Sequence, residues 1–258
     1  MTERSYLVVD TETVPDPDLA WDAAREGFPP PTHHKVVALG VLWLDPDLRF
    51  RRLGVFSGHP AEPGVDAEAA VLEDFVRFVG RERCHLVTYN GRTFDLPVLV
   101  NRCLRHGISF RAYFTDRDYR YRYSDFGHVD LADVLSEHGA TRSPRLESLA
   151  STIGLPGQRK VDGSMVASLF AKGQYDAIRE GCLEDVVQTA FLFLRFELLR
   201  GRLDRDGYRE RAKAIWDAVQ ADPRAKGALS GADVSKLLLG EAAAKEPKRK
   251  KTAKEEAK

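Results

Sequence analysis

Apolar positions along the chain follow two rhythms. Between residues 6 and 58, "YLVVDTE", "KVVALGVLWL" and "RFRRLGVFSG" are dense in β-branched side chains and bounded by polar or Pro-rich text, which predicts three successive strands. The turn residues Asp45, Pro46 and Asp47 join the last two, so antiparallel neighbours are expected. The link from Pro15 to His34, which contains "PPPTHH", predicts a surface excursion near the strand ends.

From Asp66 the rhythm changes. Val71, Phe75, Phe78 and Val79 recur at helical spacing, and a strand at "HLVTYN" and a helix after Asp95 follow. A strand near "HVDL", a helix near Leu146 to Ile153 and a long helix from about Tyr175 to Arg200 complete the pattern. A meander of three strands followed by two in helix-crossover units makes an α/β architecture, a mixed five-stranded sheet with helices on its faces.

The main domain is expected over residues 1–202, with a small helical extension over 203–242 in which Ser230 suits a cap. The remainder, 243–258, is a basic tail with almost nothing to bury and is expected to be disordered. No apolar run approaches the roughly 18 residues of a membrane span, so neither a membrane partner nor a signal peptide is expected, and a cytoplasmic location is the default. The formal net charge is +0, which leaves nucleic-acid affinity to local patches. Cys84, Cys103 and Cys182 have neither metal-ligand nor redox spacing and read as buried free thiols.

The first strand carries chemistry that a buried strand does not need. Asp10 and Glu12, two apart, point to one face at what reads as the strand's carboxyl end. Like charges held together raise one another's pKa unless a cation lies between them, and hard oxygen ligands suit Mg²⁺ or Mn²⁺. A turn-capping role for the pair in "TETVPD" is the other reading. In "LVTYNGRTFDLPVL" an apolar strand runs into the turn pair Asn90-Gly91, and Asp95 then heads a helix, as a further carboxylate of the site or as its N-cap. Asp185 lies close to the apolar stripe of the long helix, where an unpaired carboxylate is costly.

D-x-E on the first strand, N-G-x-x-F-D after the fourth and a helical Asp near the domain's end resemble the three motifs of the DEDD-superfamily exonucleases, which have a ribonuclease H-like fold. The likeness runs in order through "VVDTETVPD", "KVVALGVLW", "HVDLADVL", "LESLASTIGLPG", "VDGSMV" and "FLFLRFELLRG" over roughly residues 5–202. It is greatest to the predicted 3'-5' exonucleases related to the proofreading domain of family-B DNA polymerases. The resemblance implies hydrolysis of single-stranded nucleic acid from its 3' end, DNA ahead of RNA, with two divalent ions, Mg or Mn, as cofactors. Asp10 would bridge the ions, Glu12 and Asp185 complete the site of the ion that activates water, and Asp95 support the second ion through bound water. Protein partners are not legible.

The chain departs from that family where a Tyr four residues before the last Asp, or a His five before it, acts on the attacking water. Gly181 and Glu180 occupy those positions. Metal-activated water alone, Glu180 as substitute base, or a catalytically impaired nucleic-acid-binding module are the readings left open. Asn90, Gly91 and Phe94 are expected near the terminal nucleotide, Asn90 alternatively serving only its own turn. In "YRYRY", an extended conformation would place Tyr119, Tyr121 and Tyr123 on one face and Arg120 and Arg122 on the other, for base stacking beside phosphate contacts; an edge hairpin is the alternative. Adjacent His33 and His34 read as solvated loop residues. Asp130 and Asp162 fall near the site with no catalytic role assigned.

Overall fold

Strand β1 (Tyr6–Pro15) forms the middle of a five-stranded sheet. A computed structural model describes residues 3–56, 66–124, 126–157 and 163–240; the basic tail and Asp162 lie outside them. β2 (His34–Leu44) pairs antiparallel with β1 and β3 (Phe50–Phe56) antiparallel with β2, while β4 (His85–Thr88) and β5 (His128–Asp130) continue the sheet in parallel on the other side. The spatial order is β3-β2-β1-β4-β5. This is the mixed sheet that the change of rhythm predicts.

The helices, in chain order, begin with the single turn α1 (Ala23–Glu26), then α2 (Ala67–Glu82), α3 (Asp95–His106) and the short α4 (Arg111–Thr115). After β5 come α5 (Leu131–Leu135), α6 (Leu146–Thr152), α7 (Gly163–Ala171) and the long α8 (Tyr175–Leu199), followed by α9 (Arg205–Ala221) and α10 (Val234–Leu237). Asp66 caps α2 by accepting from the amides of Glu68 and Ala69, and Gly107, at φ 67°, closes α3 in the left-handed conformation.

Helices cover both faces, which is why β1 and β2 read as nearly unbroken apolar runs. On one face Tyr6, Val8 and Leu42 pack against Val186, Val187, Ala190 and Phe191 of α8. On the other, Leu7, Val9 and Leu39 pack against Leu72 and Phe75 of α2 and Leu96 and Leu99 of α3. From Gly181 to Leu194 every residue of α8 is buried, because α9 and the 3₁₀ turn at Lys226–Leu229 close over its far side with Tyr208, Ile215 and Leu229. Asp233, not Ser230, caps α10; Ser230 instead ends the 3₁₀ turn before it.

The "YRYRY" stretch is not extended. Asp116 caps a 3₁₀ turn over Arg117–Tyr119, and Tyr119 is 1% exposed, its hydroxyl donating to the Cys84 carbonyl at 2.6 Å. The fixed turn breaks the alternation, so the three tyrosines share no face. Tyr121 and Tyr123 remain exposed, while Arg120 lies over the Phe114 ring and Arg122 forks onto Asp133 with contacts of 3.0 and 2.6 Å.

Candidate active site

β1 does not finish on its two carboxylates. It stays paired with β2 as far as Pro15 opposite His34, so Asp10 and Glu12 lie within the strand. What ends early is the pairing with β4, which spans only Tyr6 to Val8. Past Val8 that edge of β1 is open to a different partner, and α3 supplies it.

After β4 the chain reverses through Asn90, at φ 64°, and Gly91. A Cβ on Gly91 would sit 2.5 Å from the Thr88 Cβ, so only glycine fits against that strand end. Asp130 fastens the turn: its carboxylate accepts from the amides of Asn90 and Arg92, each at 2.8 Å, while also capping α5. The Asn90 side chain accepts from the Thr93 hydroxyl at 2.7 Å, which serves the turn itself.

The turn delivers Asp95 to β1. Its Oδ1 accepts from the Thr11 amide at 2.9 Å and from the Thr11 hydroxyl at 2.6 Å. Asp95 is therefore no cap of its own helix; Phe94 holds that position, without a side-chain bond. A carboxylate from a separate element is latched to the residue between Asp10 and Glu12.

On the opposite face α8 descends onto β2 beside Asp10. Gly40, paired with Asp10 across the sheet, donates its amide to the Cys182 sulfur at 3.1 Å. The thiol also approaches the Asp10 carbonyl at 3.5 Å and the Asp10 Oδ2 at 4.0 Å. Ligand atoms of Asp10, Glu12 and Cys182 lie within 4.8 Å of one another. Asp185 follows Cys182 by one turn, buried at 4% exposure. Burial, and after it the charges of Asp10, Glu12 and Asp185, push the Cys182 thiol well above its usual range. A protonated thiol leaves carboxylate oxygens as the charged donors, the set that suits a hard divalent cation.

Cys182 has no place in the expected site, although its position three residues before Asp185 could have signalled it. Gly181 is buried and Glu180 exposed on the same helix. His34 is 3% exposed, with Nδ1 bonded to the Thr13 hydroxyl and Nε2 to the Pro29 carbonyl, so the solvated reading fails for it. Pairing with β1 draws it into the sheet. Burial holds its pKa below the ordinary value.

A second group of ligating residues, Asp66, Glu68 and His106, has another use. Glu68 accepts from the Val36 amide at 2.7 Å, from Arg102 at 2.7 and 2.6 Å, and bonds His106 at 2.8 Å. Arg102 also pairs with buried Asp16. This network ties the end of β1, the start of β2, α2 and α3 together behind the carboxylates.

Burial pushes the Asp95 carboxyl up to about 6 from its ordinary 3.8, against the opposing bonds from Thr11. Stability from such a group is complete below the ordinary value and is lost as pH rises through about 6. In chelated protein, Asp95→Asn should therefore gain on wild type between about pH 4 and 6.5, by up to roughly 3 kcal/mol. Urea unfolding at several pH values checks this, and a difference independent of pH would refute the shift.

A family model described as "predicted 3'-5' exonuclease related to the exonuclease domain of PolB" matches residues 26–230. The match begins after β1, whose carboxylates are joined to it through the sheet. No curated protein matches. Among solved structures, the family B DNA polymerase of the hyperthermophilic archaeon Pyrobaculum calidifontis is similar with a TM-score of 0.52 and 22% identity, over 84% of this chain and 29% of the polymerase. That likeness concerns the fold, the ribonuclease H-like α/β architecture. No helix among the described residues is long and apolar enough to cross a membrane. With its family match extending over most of the length and the fold in agreement, the chain belongs to the predicted 3'-5' exonucleases related to the exonuclease domain of PolB.

Proposed function

We propose that the chain hydrolyses single-stranded nucleic acid from the 3' end, DNA ahead of RNA, with Mg²⁺ or Mn²⁺ bound by Asp10, Glu12 and Asp185 and supported by Asp95. The observation that supports this reading is the crowding of Asp10 and Glu12 against Cys182, one turn from Asp185, on a strand whose Thr11 also holds Asp95. Carboxylate oxygens gathered in a largely buried place are hard donors of the kind that suits a divalent cation. Divalent ions there would lower the pKa of an attacking water and take up charge on the leaving oxygen.

The chain's own side chains would position the substrate. Phe94, directly before Asp95, is half-buried and meets the buried His34 ring edge-on, and the Asn90–Gly91 turn lies just before it in the chain. Arg120 and Arg122 are the candidates for phosphate contact; Arg122 would have to exchange its Asp133 partner for a phosphate. Glu180, exposed, is a weaker candidate for a base than metal-activated water. Gly181 in place of the family's Tyr favours a second reading, a binding module derived from a nuclease.

One experiment separates them. DNA and RNA strands labelled at the 5' end are incubated with the protein in Mn²⁺, Mg²⁺ or chelator. A descending ladder that requires metal is the expected result. Strand retention with no shortening in any metal would leave the binding module.

A further inference from the structure

All three thiols are free and buried, but only Cys182 stands with a pair of carboxylates; Cys84 and Cys103 belong to neither ligating group among the described residues. The Cys182 Sγ is 4.0 Å from Asp10 Oδ2, and a Glu12 oxygen joins them in a set of ligand atoms within 4.8 Å of one another. In tetrahedral sites Zn²⁺ holds sulfur at about 2.3 Å and carboxylate oxygen at about 2.1 Å, which sets the two ligand atoms about 3.6 Å apart. A movement of about 0.4 Å brings the Cys182–Asp10 pair to that spacing.

The sulfur is also held as a ligand would be. The Gly40 amide donates to it at 3.1 Å, a bond that orients the sulfur and that a thiolate would keep. Glycine is what lets β2 come so close, since a Cβ there would lie 2.9 Å from the sulfur. Asp10 is half-buried, so the group meets solvent through that carboxylate. Mg²⁺ has no use for the sulfur, because it takes oxygen ligands and keeps several waters. A thiolate instead selects Zn²⁺ and other softer ions.

We infer that Cys182, Asp10 and Glu12 together form a site for a thiophilic divalent ion, Zn²⁺ ahead of Mg²⁺, so that one carboxylate pair serves ions of different softness. This rests on the metal reading above and adds a residue outside the exonuclease motifs. On binding, the thiol gives its proton to solvent and its sulfur electron pair to the ion, and nothing is oxidised or reduced. Zn²⁺ held there occupies oxygens that Mg²⁺ needs. The two ions therefore compete, and Zn²⁺ restrains Mg²⁺-supported turnover.

Cd²⁺ is the probe, because its thiolate complexes absorb in the ultraviolet and its complexes with oxygen ligands alone do not. The chain has 3 cysteines, so replacing Cys84 and Cys103 by serine leaves Cys182 as its one thiol without touching the site. Titrating that double variant with Cd²⁺ should raise a thiolate band that saturates at one ion per chain. Cys182→Ser should lack this band and bind Zn²⁺ at least about tenfold more weakly than wild type, with Mn²⁺ affinity kept within about twofold. Cd²⁺ binding without the band in the double variant, or equal Zn²⁺ affinity in Cys182→Ser and wild type, overturns ligation by the thiol and leaves the carboxylate site standing. Equal losses of Zn²⁺ and Mn²⁺ affinity in Cys182→Ser overturn it as well, since they make the sulfur a support for Asp10 and not a ligand. If wild type binds neither Mn²⁺ nor Cd²⁺, both readings fall.

Discussion

Replacing Asp10 by alanine should lower kcat/KM for strand shortening by at least ~100-fold, because changes merely behind a metal's ligands already cost 10- to 100-fold. The same substitution should leave the chelated protein as stable as wild type or more so. Asp10, Glu12 and Cys182 hold ligand atoms within 4.8 Å of each other, and removing one carboxylate relieves that crowding. Activity and stability must therefore move apart. Thermal unfolding in chelator beside turnover in Mg²⁺ checks both, and joint loss of the two would reduce Asp10 to a structural residue.

Gly40→Ala should damage both. A Cβ there would lie 2.8 Å from the Val186 Cγ2, 2.9 Å from the Cys182 sulfur and 3.1 Å from the Cys182 carbonyl oxygen. None of these can swing aside as the end of a long side chain could, so α8 must lift from β2. Overpacking of this kind costs about 1 to 3 kcal/mol. Asp185 rides on the next turn of that helix, and displacement of a reacting constellation by about 1 Å costs on the order of 100-fold in rate. Gly54→Ala is the control, because a Cβ at that neighbouring strand position meets nothing within 4 Å. If Gly40→Ala melts and turns over like the Gly54 variant, close approach of helix and strand is not what assembles the site.

The fold was legible because its signals are local. β-branched runs and helical spacing reveal elements, and the turn pair Asn90-Gly91 reveals a reversal whose Asn adopts a left-handed conformation. Site carboxylates could be read as candidates because charge in an apolar run is costly. What stayed hidden depends on approach between distant segments. Thr11 as the partner of Asp95, 84 residues away, has no local mark. Gly40 had one, since glycine inside a strand often signals close backbone approach. The failure at Tyr119 came from trusting alternation in a short stretch: a bulky ring gains more from burial against the Cys84 carbonyl than an extended edge would offer. His34 failed for a related reason, its polar neighbours suggesting solvent while the sheet extended to include it.

The pairing of β1 with β2 holds an irregularity with a further consequence. Register runs from Glu12 opposite Ala38 to Thr13 opposite Val36, so Val37 is an extra residue on β2. β1 keeps its alternation unbroken, and Asp10 and Glu12 stay on the α8 side. The partner strand absorbs the mismatch: Ala38 packs beside Cys182, whereas Val36 packs with Leu39 on the α2 and α3 side. His34, two residues before Val36, changes face with it and so meets Phe94. Had β2 kept strict alternation, that imidazole would have projected toward the α8 side and would not meet Phe94. One inserted residue thus lets a single hairpin serve both sides of the sheet, acids toward one and rings toward the other.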